Sequence, residues 1–379
     1  MKIGILTLPL HTNYGGILQA YALQTILERM GHEAKLITFD YSAPAYPFYQ
    51  VVYCFLRRVI CRVIKRNKID FYNINKEALF YAKRHKTMAN NIDKFINQHI
   101  KCHFYRSLSN DVRQSDFDVF VVGSDQIWRR QYIQGSLKIF DAFLDFAKCW
   151  QVKRIAYAAS FGVDLWDFDK TETDRIKYLI HLFDAVSVRE QSGVDLCSKH
   201  FNIKASFLLD PTFLLEKERY EQIIDCWTEK HQSTQEILTH YVLDQSDEID
   251  QLIQKVEKDK GLNSFSLDLY KNKEKELIPF PFVEQWLAAF RNASFVITDS
   301  FHACVFCIIF HKPFIVIGNK RRGYARFLSL LQTFGLERNL ITSVAEYNPY
   351  QDYSIPPSSY IKLKELQQSS FQFLQTHLS

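Results

Sequence analysis

The 379-residue sequence lacks any uninterrupted apolar run of the roughly 18 residues a membrane span needs. That excludes a helical integral membrane protein on hydropathy alone. It also lacks a disulfide framework: eight cysteines, at 54, 61, 102, 149, 197, 226, 304 and 307, are scattered without a repeated spacing. With Met1-Lys-Ile-Gly running straight into an apolar strand and no leader pattern before it, the expected compartment is the reducing cytoplasm. A strong excess of charge of one sign is lacking too. A net charge of +5 suits an anionic ligand or surface but gives no reason to expect nucleic acid. Cys304 and Cys307 form a C-x-x-C, yet no second pair completes a zinc spacing, and both lie in the apolar stretch HACVFCIIF; core packing is the expectation. No G-x-G-x-x-G is present, so no nucleotide fingerprint is read, and no internal repeat stands out.

What is present is a β-turn-α-β grammar written twice, too long for one core. KIGILTL (2–8) reads as a buried strand, HTNYGG (11–16) as a glycine turn, ILQAYALQTILERMG (17–31) as a helix and EAKLITFD (33–40) as the next strand. After a break at SAPAYP (42–47), residues up to about 110 read as a helical, irregular insertion. The sheet resumes at FDVFVVGSD (117–125), RIAYAASFG (154–162) and AVSVRE (185–190), and FLLDPTF (207–213) closes the half. The second half has a strand at 236–243, helices at 246–261 and 286–293, then FVITDSFHACVFCIIFHKPFIVIG (295–318) as strand, helix and strand. The expected architecture is α/β, two Rossmann-like domains facing a cleft (1–215 and 216–379). The last helical segment, 360–378, is expected to pack back on the first domain.

In such sheets ligands collect at the carboxyl ends of strands and the amino termini of helices. Several side chains stand there. His302 comes just after the strand FVIT, and imidazole gives and takes protons near neutral pH; helix capping is its other reading. Arg189 ends AVSVRE, where it either grips an anion or pairs with a neighbouring carboxylate. Asn13, Gly15 and Gly16 form a turn whose backbone can approach a ligand, or in which Asn13 caps the helix. Asp125 ends a strand and could act as a base or orient a sugar, or cap a helix; Trp128 could stack on a pyranose. Ser300 could donate to an anion, and Ser160, Asp210 and Asp299 read as shaping strand-end turns. The segment 50–68 places Val52, Leu56, Val59, Ile60 and Val63 at helical spacing among Arg57, Arg58, Arg62, Lys65 and Arg66. It suits either an anionic membrane surface or docking on its own domain.

The pieces IGILTLPLHTNYGGILQAYAL, FDVFVVGSDQIW, RIAYAASFG, VSVREQSG, LLDPTFLL and FVITDSFHACVFCIIFHKPFIVIGNK, in this order, resemble the polysaccharide pyruvyl transferases. The resemblance implies a glycosyltransferase-B-like fold. It also implies transfer of the enolpyruvyl unit of phosphoenolpyruvate onto two sugar hydroxyls of a bacterial capsular or exopolysaccharide precursor, giving a cyclic ketal and phosphate. It implies His302 and Asp125 as acid/base residues, with Arg189, Ser300 and Lys320 (or Arg321 or Arg322 of the same loop) binding the donor. Asn13, Gly15, Gly16 and Trp128 are left to the acceptor or the turn. No cofactor or metal is expected beyond the donor substrate, and the acceptor implied is lipid-linked, reached by a cytoplasmic, peripheral enzyme. A glycosyltransferase with a nucleotide-sugar donor and a non-catalytic glycan-binding relative remain as alternatives. The first predicts a carboxylate for the donor ribose, which the sequence does not offer. The second predicts a buried His302 and an Arg189 paired away from the cleft.

Overall fold

The computed structural model describes residues 1–10, 12–39, 74–133, 137–227, 237–267, 279–318 and 323–379. The first unit is a seven-stranded parallel sheet. Its elements are β1 (Lys2–Leu6), α1 (Tyr14–Arg29), β2 (Glu33–Phe39), α2 (Ile74–His99), β3 (Cys102–Tyr105), β4 (Val119–Val122) and β5 (Lys153–Ala159). After them come α3 (Lys170–Ile180), β6 (Ala185–Val188), α4 (Gln191–Leu196) and β7 (Ser206–Phe207). Strand order is β3-β2-β1-β4-β5-β6-β7. The second unit starts with α5 (Lys217–Asp225) and holds a five-stranded parallel sheet of β8 (Ile237–Tyr241), β9 (Asn263–Ser266), β10 (Phe295–Thr298), β11 (Phe314–Ile317) and β12 (Leu340–Ile341). Its helices are α6 (Asp247–Lys260), α7 (Val283–Asn292), α8 (Phe301–Ile309), α9 (Tyr324–Phe334) and α10 (Pro357–Leu378).

Apolar runs set the middle of each sheet. VFVV of β4 and FVIT of β10 are buried at every position, because helices cover both faces of a parallel sheet. Edge strands are short and incompletely buried: β9 (NSFS) is exposed throughout, and β3 (CHFY) carries the exposed Phe104. β3 is where the structure departs from an insertion over 42–110. Residues 74–105 form a helix and a strand, and β3 pairs in parallel with β2, so this stretch belongs to the sheet. A four-residue edge strand interrupted by His103 is too short to read as an apolar run.

Two helices are buried on nearly all sides, the mark of a helix enclosed within a core rather than lying on a surface. All nine residues of α8 are buried, and α1 presents only a few partly exposed positions. They touch each other, so the two units share one apolar core that includes Ile17, Leu18, Phe306 and Val305. α10 lies across the first unit: Ser370 accepts from the Leu209 amide (3.2 Å), and the Gln367 amide reaches the Phe213 carbonyl (2.5 Å).

Cys304 and Cys307 sit in this shared core, and burial raises both thiols well above the ordinary range. In the native protein they should resist a thiol reagent that labels the exposed Cys149 and Cys226, reacting only after denaturant is added. Labelling of either at native pace, located by peptide mapping, would contradict the packing.

Candidate active site

Each sheet has one topological switch point, and the two open onto the same cleft. In the first, the chain leaves β1 toward β2 on one side and returns with β4 on the other. In the second, β8 is flanked by β9 on one side and β10 on the other. Crevices form at such points because successive crossovers pull apart beyond the strand ends. A cleft of about 280 Å³ is lined by residues just past the ends of β1 (Leu8, Thr12, Asn13), β4 (Asp125, Gln126), β8 (Leu243) and β10 (Asp299, Ser300, Phe301, His302), with Tyr132, Tyr241 and Arg326. Sequence distance has vanished; strand order has brought these residues together.

The wall from the second unit is cationic. His302 lies in the first turn of α8, its ring pressed against Gly15 of α1; a methyl at Gly15 would overlap the imidazole. On the other side, His302 Nε2 lies 3.5 Å from Asp210 Oδ2, close enough for charge attraction but longer than a strong hydrogen bond. Arg326, from the first turn of α9, is buried at the cleft. Its guanidinium is pushed down to about 10, by burial first and by the nearby Arg189 second. Ser300 precedes α8 without capping it by its side chain, and Asp299 turns inward, accepting from the Leu243 and Asp244 amides at 2.7 and 2.9 Å. Asp299 therefore shapes the switch rather than serving a ligand.

The wall from the first unit is polar and aromatic. Asp125 has a left-handed backbone (φ 47°), is almost fully buried and borders the cleft. Gly16 leaves room beside it, since a Cβ there would stand 3.2 Å from the Asn13 amide nitrogen and 3.6 Å from Asp125 Oδ2. Asn13 occupies the capping position of α1 but makes no side-chain cap bond, so its amide stays at the cleft. Both α1 and α8 direct their amino termini here, the positive ends of their dipoles.

Beneath this lies a buried ionic cluster. Arg189 donates to Asp210 Oδ2 (2.5 Å) and Asp125 Oδ1 (3.3 Å), and its guanidinium stacks 4.3 Å from the Phe301 ring centre. Asp210 also accepts from Ser124 Oγ (3.1 Å) and from the Thr212 amide and hydroxyl (3.0 and 2.7 Å). Burial alone would raise the Asp210 carboxyl; His302, Arg189 and Thr212 outweigh it and hold it well below the usual carboxylate range. Burial likewise opposes the charge of Arg189, and Asp210, Asp125 and Glu190 outweigh it, so its pKa is raised.

Several expectations change in this light. Arg189 is a strand-end arginine, but it does not itself line the cleft and is held by two carboxylates, Asp210 beneath the cleft and Asp125 at its wall. Trp128 cannot stack on a sugar: it is fully buried, parallel to Phe143 at 5.2 Å, with Nε1 bonded to the Ala142 carbonyl. Gly15 makes room for a histidine, not for a ligand. Lys320, Arg321, Arg322 and the basic segment 50–68 lie outside the described residues. Arg326 and Tyr132 went unread. In YARFLSLL the arginine reads as one polar position of an amphipathic helix, and nothing local to Tyr132 marks it.

A model of the family described as polysaccharide pyruvyl transferase matches residues 13–321. The chain belongs to that family. No curated protein matched. Among solved structures, the UDP-GlcNAc 2-epimerase of Methanocaldococcus jannaschii shares 11% identity over 98% of this chain and 100% of its own, with a TM-score of 0.47. That of Neisseria meningitidis shares 13% over 97% and 100% (0.44), and MurG of Acinetobacter baumannii 11% over 100% and 91% (0.39). At these identities and scores the likeness carries no conclusion about substrate. The matched span of this pyruvyl transferase family member runs from Asn13 through α8 and β11, and so includes every cleft residue except Leu8, Thr12 and Arg326. Its two parallel α/β units around a shared cleft are the glycosyltransferase-B-like arrangement. No helix among the described residues is long and apolar enough to cross a membrane.

Proposed function

We propose that this chain transfers the enolpyruvyl group of phosphoenolpyruvate to two hydroxyls of a sugar in a capsular or exopolysaccharide precursor, forming a cyclic ketal and releasing phosphate. The observation that carries the reading is a buried guanidinium and an imidazole on one cleft wall, where two helices end, in a chain of this family. Phosphoenolpyruvate brings a carboxylate and a phosphate, which Arg326, Ser300 and the amino termini of α1 and α8 suit. Lys320 or Arg322 would add to that set. In the first step a sugar oxygen bonds to the central carbon of the donor while the methylene carbon takes a proton and becomes a methyl. His302 is assigned that proton, and Asp125, on the opposite wall, receives the hydroxyl proton. In the second step the other hydroxyl oxygen bonds to the same carbon, the carbon–oxygen bond to phosphate breaks, and the hydroxyl proton passes to the departing phosphate. The acceptor is proposed to be lipid-linked and met at the cytoplasmic face of the membrane.

Two observations favour a second reading, a non-catalytic glycan-binding relative: Arg189 does not itself line the cleft and is paired with Asp125 and Asp210, and His302 is buried. Against that stand the places of His302 and Arg326, which line the cleft although both are buried. Calorimetric titration of phosphoenolpyruvate, with uridine diphosphate as control, separates the readings. Saturable binding of phosphoenolpyruvate alone is expected. Removing one charge-assisted contact should weaken it at least about tenfold in Arg326→Ala and His302→Ala. Uridine diphosphate binding without phosphoenolpyruvate would favour a nucleotide-sugar glycosyltransferase. Binding of a sugar with neither would favour the non-catalytic relative.

A further inference from the structure

The two cleft walls differ in chemistry, and the difference assigns them different substrates. Cations belong to the second unit. The first contributes Asp125, Gln126 and an aromatic ring, Tyr132, which is unusual in its setting. The other aromatics that line the cleft, Tyr241 and Phe301, are buried, whereas Tyr132 is 39% exposed. A solvent-facing ring at a cleft mouth has lost burial that its neighbours obtain, and a ligand would restore it.

Tyr132 is also fixed in place. The Arg129 guanidinium, itself buried, lies under one face at 4.5 Å from the ring centre and donates to the Tyr132 hydroxyl at 3.3 Å. Arg129 is in turn oriented by Gln126 Oε1 (2.7 Å) and Gln131 Oε1 (3.2 Å). The helical turn carrying the ring, Arg130–Tyr132, is tied to α3 by a two-pronged bond from Arg130 to Glu172, at 3.0 and 3.1 Å. With one face covered by Arg129, the exposure belongs to the other face and the edge. A rigid ring loses little entropy on binding, so it suits recognition.

Resting on the pyruvyl transfer reading, we infer that Tyr132 is the stacking platform for the acceptor pyranose, with Asp125 and Gln126 beneath the hydroxyls of the same sugar. A pyranose has one face of polarised C–H groups, which match the negative face of an aromatic ring, and an equator of hydroxyls, which match a carboxylate and an amide. A ring stacked on Tyr132 lies across the cleft from Arg326 and His302, so its hydroxyls approach a donor held by the other unit. Donor and acceptor then come from opposite walls, as a two-substrate transfer needs.

The test uses the full chain saturated with phosphoenolpyruvate, probed by ligand-detected NMR with methyl glucopyranoside, galactopyranoside and mannopyranoside, and with galactitol as an acyclic control. At least one pyranoside should bind through its ring C–H protons while galactitol does not. Loss of the stack in Tyr132→Ala should weaken that pyranoside about three- to tenfold, and Tyr132→Phe, which keeps the ring, should stay within about twofold. Calorimetric affinity for phosphoenolpyruvate should be unchanged in both variants, which also verifies their folding. Pyranoside affinity that survives Tyr132→Ala, or no pyranoside bound with the donor in place, overturns the platform and leaves the donor assignment standing. Pyranoside binding that needs Tyr132 in a protein that does not take up phosphoenolpyruvate overturns the donor assignment and keeps the platform.

Discussion

Gly15→Ala should destabilise the protein by about 1–3 kcal/mol, the usual cost of forcing a methyl into a filled core. Alanine at a helical position ordinarily gains up to about 1 kcal/mol over glycine, so the expected sign is opposite to the generic one. The reason is local: the space a Cβ would take is held by the His302 ring, and the ring has Asp210 on its far side at 3.5 Å and Phe301 beside it. It cannot retreat without leaving the cleft wall. The two effects separate in a second background. With His302→Ala the ring is gone and only the Cβ at position 302, 2.7 Å from the new methyl, is left, so the same Gly15→Ala change should cost clearly less than in the wild-type background. Urea unfolding midpoints of the four proteins measure this without any knowledge of substrate. Equal costs of Gly15→Ala in both backgrounds would mean that the histidine does not rest on that glycine. For transfer itself, a displacement of the ring by about 1 Å can cost on the order of a hundredfold. Gly15→Ala should then approach His302→Ala in its loss of ketal formation.

That contact explains much about what the sequence could tell. The glycine turn and His302 were both legible as strand-end residues, because apolar runs mark the inner strands and side chains just beyond them gather at one edge. What was not legible is that the glycine exists for the histidine, which lies in the other half of the chain. Pairings of that range depend on how two units dock, and no local pattern encodes it. Arg189 was legible in part: its place at the end of β6 and a carboxylate partner were readable, but not that Asp210 and Asp125, from two other strand ends, would be the partners. Trp128 failed for a different reason. A tryptophan shortly past a polar strand end offers a sugar platform or a core anchor with equal chemistry, and the chain folds Ile127 and Trp128 inward together. Arg326 was hidden by periodicity, since a helix with one arginine among leucines and phenylalanines reads as ordinary amphipathicity. The four-residue edge strands β3 and β9 are too short, and β9 too polar, to carry a readable apolar run. Motif order identified the family, and strand order assembled the cleft.

Asp210→Asn should cost the folded state about 3–5 kcal/mol at neutral pH, because it removes one of the two carboxylates that compensate the buried Arg189. The comparison that decides the size is within the same molecule. Arg29 and Glu216 also pair at 2.8 Å, but both side chains are about half exposed, and such pairs contribute about 0–1 kcal/mol. Arg189 and Asp210 are fully enclosed, so losing one leaves a charge that water cannot reach. The direction of the shift sets the pH dependence. A carboxyl held lower in the folded protein than in the unfolded chain contributes stability that is complete above its ordinary value of 3.8 and is lost as pH falls below it. The stability difference between wild type and Asp210→Asn should therefore be flat from neutral pH down to mildly acidic conditions and should shrink below about pH 4. Guanidinium unfolding at stepped pH measures it. A difference that stays constant to the acid limit would mean that the asparagine fails for reasons of shape, through Thr212 and Ser124, and not of charge. If instead the difference closes, the cluster is ionic, and Asp210 is the charge that ties Arg189 of one unit and His302 of the other to the same point beneath the cleft.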